Sequence, residues 1–159
     1  MITDQMQTQL LQGMRAMRIA NQNCFLPACR QFGLTFQQFT VLMELAHSPE
    51  LTAGELSDHV CILRTNFASV TNKLGQRGLI CQARSSRDRR YTVIRLTEQG
   101  EALVEEITQW LENRYGTVFD GSEESLFEDL LKGFQAMEHF AIKLEQINLQ
   151  CDRSILNLK

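Results

Sequence analysis

Between Leu51 and Gly100 the spacing of apolar positions changes from a helical period to a strand period. Leu63, Phe67, Val70 and Leu74 recur at intervals of four, three and four, which puts them on one face of a helix over about Arg64 to Arg77. Gly78 then predicts a left-handed cap. At about 100° per residue the opposite face carries Thr65, Ser69, Asn72 and Gln76, flanked by Ala68 and Lys73. Upstream, Thr52 and Glu55 have the spacing of a capping box, so a shorter helix is expected from Ala53 to His59 or Val60. It should bury Leu56 and Val60 and turn through Cys61 and Ile62. Beyond Gly78, Leu79 to Ala83 and Thr92 to Leu96 read as short strands joined by the polar loop Arg84 to Tyr91. Two helices, the second with a polar outer face, followed by a hairpin predict a winged helix-turn-helix.

The flanking stretches are helical in period. Met6, Leu10, Met14 and Met17 follow at four, four and three, with Leu11 beside them, in a helix expected from Asp4 to about Phe32. Pro27 should kink or interrupt it, and Gly33 should stop it. A methionine face on a long terminal helix suits packing against another subunit. Phe36 to His47 is the next helix, with Phe39, Leu42, Met43 and Ala46 inward and Ser48-Pro49 at its end. Thr97 should cap a helix from Glu98 to about Val118 that buries Leu103, Ile107, Trp110, Leu111 and Val118. Asp120-Gly121-Ser122 is the expected break. In the last helix Phe127, Leu130, Phe134, Met137, Ala141 and Leu144 alternate spacings of three and four, a heptad seam that needs an apolar partner. The predicted fold is therefore mainly α: a winged helix-turn-helix over 34–100, with dimerisation helices over 1–33 and 101–159 that pair across a two-fold axis.

Charge sharpens this picture. From Arg64 to Arg95 there are eight Lys or Arg and one acid, a net +7, while the whole 159-residue chain is at −3, so the remainder carries −10. Arg84, Arg87, Arg89 and Arg90 crowd the hairpin loop around a single acid, Asp88, and repel one another unless an anion is near. Short hydrogen-bonding groups on the second helix suit base edges in a major groove, which is wide enough for one helix. Double-stranded DNA is the partner these features point to.

Other chemistry finds little support. No phosphate loop, nucleophile elbow or metal-hydrolase pattern is present, and Glu105-Glu106 and Glu123-Glu124 read as helix starts and solvent faces. No enzyme, cofactor or metal is expected. The five cysteines form no CxxC pairs and His47, His59 and His139 are far apart. No run reaches the roughly eighteen apolar residues of a membrane span, and Met1 to Gln9 lacks the features of a signal peptide, so a cytoplasmic protein is expected.

One ordered set of residues resembles a known family. Gly33-Leu34-Thr35, Gln38-Phe39, Val41-Leu42, Leu56, Leu74, Arg77-Gly78-Leu79-Ile80, Asp88-Arg89-Arg90, Leu96-Thr97-Glu98 and Gly100 are similar to the multiple-antibiotic-resistance (MarR) type of transcriptional regulator. Arg64-Thr65-Asn66 also resembles the start of the recognition helix in the efflux-pump repressor branch of that family. The resemblance implies a homodimer on an inverted-repeat operator, with Arg64 to Arg77 as the major-groove reader. It implies that Arg89 or Arg90 enters the minor groove and that Asp88 orients it.

On this reading Thr65, Ser69 and Asn72 read base edges with Gln76 at the far end, Asn66 is a further DNA-binding residue, and Arg64, Lys73 and Arg77 meet phosphates or anchor the register. Arg87, Arg89 and Arg90 reach the flanking minor groove. Many members have a long polar residue where Ser69 stands, so the operator cannot be carried over. The family also binds small amphipathic aromatic compounds near the junction of its first two helices, which makes Phe25, Phe32, Phe36 and Phe39 the candidate pocket for an aromatic or phenolic effector.

Two alternatives remain open at this stage. A thiol sensor would use Cys24 or Cys29, although the family's peroxide-sensing position falls near Leu11; Arg30 would lower the pKa of its neighbour Cys29. A winged-helix module that binds acidic protein partners would use the same cationic surface.

Overall fold

The computed structural model describes residues 4–86, 88–116 and 124–156. It divides into two compact units, Met1–Arg114 and Tyr115–Lys159. The elements are α1 (Asp4–Gln31), α2 (Phe36–His47), α3 (Ala53–His59), α4 (Arg64–Gln76), β1 (Ile80–Arg84), β2 (Thr92–Leu96), α5 (Glu98–Tyr115) and α6 (Glu124–Leu156). This is the expected mainly α winged helix-turn-helix, with one antiparallel hairpin.

Local signals set most boundaries. Just past the end of α1, Gly33 takes a left-handed φ of 61°, and Leu34 N–H donates to the Cys29 carbonyl at 2.8 Å. Helix α1 passes through Pro27, which costs it a hydrogen bond but not its continuity. Both α2 and α3 start in reciprocal capping boxes. Thr35 Oγ1 accepts from Gln38 N–H at 3.2 Å while Gln38 Oε1 accepts from Thr35 N–H at 2.9 Å. In α3 the same exchange joins Thr52 and Glu55.

In the first unit α2 is the floor. It packs against α1, α3, α4 and β2, and Val41, Leu42 and Leu45 are at most 1% exposed. Leu56, Phe67, Val70, Leu74, Ile94 and Ile107 close over it. The buried side of α2 is centred on Leu42 and Leu45, so Ala46, expected inward, is exposed.

Strands β1 and β2 pair from Ile80 with Leu96 to Arg84 with Thr92, and Leu51 adds a bridge to Ile94. Gly100 lets α5 lie close behind the hairpin, since a Cβ there would stand 2.0 Å from the Leu79 carbonyl oxygen. α5 ends at Tyr115. The expectations for Val118 and for the break at Asp120-Gly121-Ser122 fall outside the described residues, as do the side chains of Met6 and Phe127.

Large apolar side chains remain uncovered. Leu10, Leu11, Met14 and Met17 on α1 are exposed, as are Leu130, Phe134, Met137 and Leu144 on α6. None of the described helices is long and apolar enough to cross a membrane.

Candidate nucleic-acid interface

The turn between α3 and α4 is tight. Cys61 takes a left-handed φ of 51°, which lets Ile62 N–H reach the Ser57 carbonyl at 3.1 Å. α4 then begins after Leu63 with no side-chain cap, and Leu63 is 73% exposed. The sequence pattern put Leu63 on the inward stripe; as the residue before the first helical turn, it lies ahead of the buried face. That face is Phe67, Val70 and Leu74.

Burying those three turns the polar side outward. Arg64, Thr65, Asn66, Ser69, Asn72, Lys73 and Gln76 are all exposed. Arg64 lies 3.7 Å from Asp58 in a solvent-exposed pair, a weak restraint that leaves it able to turn to another anion. Arg77 is used differently. Its Nη1 donates to the Gly33 carbonyl at 2.9 Å and Nη2 donates to that of Phe32 at 3.4 Å, so it ties the end of α4 to the end of α1.

In the wing, Arg90 closes on Asp88. Nε donates to both carboxylate oxygens at 3.1 Å, Nη2 donates to Oδ2 at 2.7 Å, and the Arg90 amide donates to Oδ1 at 3.0 Å. Those bonds from Arg90, side chain first and backbone second, hold the Asp88 carboxyl below its ordinary range. Of the two arginines left open by the sequence, Arg90 is the one that Asp88 orients. Arg89 is exposed, Arg84 donates to Thr92 Oγ1 at 3.3 Å, and Arg87 lies outside the described residues.

The wing is held at its root by a residue that carries no signal in the sequence. The Glu50 carboxylate meets Ser85, Ser86 and Arg95. Nothing local marks Glu50, because its partners are 35 to 45 residues away.

The four phenylalanines divide. Phe25 and Phe36 each pack on Phe39, with centroids 5.5 and 6.3 Å away, whereas Phe32 meets the edge of Trp110 at 6.4 Å. A separate cavity of about 510 Å³ lies between the end of α2, β2 and α5, walled by Leu45, Glu50, Arg95 and Val104. Among the described residues no His, Cys, Asp or Glu group could hold a metal ion. Burial pushes the thiols of Cys24 and Cys29 up. For Cys29 the expected effect of Arg30 is present, but it is smaller than desolvation and the backbone hydrogen bond.

Residues 23–107 match the family described as "Transcriptional regulator SarA/Rot". The chain is also 31% identical to the HTH-type transcriptional regulator FarR of Neisseria gonorrhoeae, over 79% of this chain and 88% of that protein. It belongs to the MarR type of winged-helix transcriptional regulators. Two solved MarR-type structures extend the likeness. NadR in complex with 4-hydroxyphenylacetate is 30% identical, with a TM-score of 0.63 over 77% of this chain and 89% of that one. The transcriptional repressor CouR bound to a 23-mer DNA duplex is 26% identical, with a TM-score of 0.62 over 79% and 88%. As a MarR-type regulator the chain is a DNA-binding protein of transcription, and the exposed face of α4 beside the Asp88-Arg90 wing is its candidate interface.

Proposed function

We propose that this regulator is a homodimeric repressor that binds an inverted-repeat operator and is released by a small aromatic acid. The observation that carries the reading is the hydrogen-bonding face of α4 turned outward beside an arginine held by Asp88. Thr65, Asn66, Ser69 and Asn72 read base edges and Gln76 the far end, while Arg64 and Lys73 meet phosphates. Arg90, with Arg89 and Arg87, follows the flanking minor groove. Two copies present two readers to major grooves about one helical turn apart.

The apolar faces of α1 and α6 support the dimer. Leu10, Met14 and Met17 on one, and Leu130, Phe134 and Met137 on the other, form stripes that a second copy would cover. In this division of labour 1–33 and 101–159 dimerise and 34–100 binds DNA.

Phe25, Phe36 and Phe39 mark the effector site, with Phe32 on its Trp110 side. The aromatic ligand in NadR supports that class of effector. It acts through unequal affinity for the DNA-competent and incompetent states. The raised pKa of Cys24 and Cys29 counts against a thiol sensor, since little thiolate is present at neutral pH.

The test is selection of bound sequences from a random duplex pool, with and without 4-hydroxyphenylacetate and related phenolic acids. An inverted repeat, lost when one of these acids is added, supports the proposal. Sequence-independent retention overturns it.

A further inference from the structure

Glu50 lies in the loop between α2 and α3, one residue before the Leu51 bridge to Ile94 and two before the Thr52 cap of α3. Its side chain is 17% exposed, and its carboxylate gathers donors from the root of the wing. It accepts from Ser85 Oγ at 3.3 Å, from Ser86 N–H at 3.2 Å and from Ser86 Oγ at 2.5 Å, and it pairs with Arg95 of β2. The chain of contacts continues outward. Ser85 Oγ accepts from the Asp88 amide at 3.4 Å, and Asp88 grips Arg90.

A two-stranded hairpin is marginal by itself and leaves its tip free to swing. Here one carboxylate bolts the start of the wing loop to the segment that caps α3. We infer that Glu50 is the wing's positioning residue, fixing Arg90 at a set distance from α4 without touching DNA. The inference rests on the reading that Arg90 reaches the minor groove. Its physical content is preorganisation: an arginine already held in place loses less freedom on docking. The spacing between the major-groove and minor-groove contacts is thereby written into the α2–α3 loop.

The test uses the full chain on a duplex selected by the unaltered protein, with Arg90→Ala, Glu50→Ala and the pair Glu50→Leu with Arg95→Met. Removing Glu50 alone strands Arg95, whose Nε is already buried and unpartnered among the described residues, so Glu50→Ala risks the fold. The paired variant replaces the ion pair by apolar groups of similar volume and keeps the test decisive.

Glu50 variants are expected to lose hydroxyl-radical protection of the flanking minor groove and to keep major-groove methylation protection. Adding Arg90→Ala to the paired variant should lower affinity no further than about twofold below Arg90→Ala alone. If Arg90→Ala loses the flank and the paired variant keeps it, the role of Glu50 is overturned and the wing reading stands. If Arg90→Ala keeps the flank, the wing reading falls and the inference falls with it. Loss of major-groove protection by a folded paired variant also overturns it, since Glu50 would then serve the whole module.

Discussion

Arg77, at the end of α4, donates to the carbonyl oxygen of Gly33, at the end of α1, across 2.9 Å. Helix α4 is therefore pinned at its far end to the helix that carries the exposed methionine stripe. With two of its N–H groups on carbonyls, Arg77 is read as the anchor of the register and not as a phosphate ligand. Arg77→Ala is expected to cost about 1 kcal/mol of stability, the usual net value of a hydrogen bond. Operator affinity should fall while the dependence of log K on log salt keeps its slope, because no phosphate contact is lost. Titrations at several salt concentrations check this.

The Asp88-Arg90 pair predicts a pH response. Asp88 titrates lower in the folded chain than in the unfolded one, so its contribution is present above the unfolded value of about 3.9 and is lost as pH falls through the folded value. The Arg90 Nε–H resonance should be distinct at neutral pH and merge with those of free arginines in acid. In Asp88→Asn it should be merged at every pH, with operator binding weakened at pH 7.

Gly100 predicts a packing failure. A Cβ at 2.0 Å from the Leu79 carbonyl oxygen meets backbone, which cannot rotate away as a side chain does. Gly100→Ala should cost roughly 1–3 kcal/mol or more and lower the melting temperature by several degrees. Gly13→Ala, where nothing lies within 4 Å, is the control and should be neutral or slightly stabilising.

Much of the fold was legible because its signals are local. The Thr52-Glu55 box, the Phe67-Val70-Leu74 stripe and Gly78 at a φ of 70° act within a few residues, and each appears where the spacing puts it. Long-range relationships were not legible. Glu50 looks like a solvated loop acid until Ser85, Ser86 and Arg95 arrive from the hairpin, and for Arg77 the sequence leaves phosphate contact and register anchor open, since the two carbonyls it meets come from the end of α1. Leu63 and Ala46 were misplaced by about a turn's edge, because periodicity gives a stripe and not its limits. Which of Arg89 and Arg90 pairs with Asp88 is visible only in the bidentate geometry.

If the outward face of α4 reads bases, Asn72 is the residue that shows it most directly. Sequences should be selected from one random duplex pool by the unaltered chain and by Asn72→Ala. Both should yield the same inverted repeat, with preference relaxed for Asn72→Ala at one symmetric position in each half, worth roughly 1–3 kcal/mol per position. An identical preference at every position, or no inverted repeat from the unaltered chain, would contradict it.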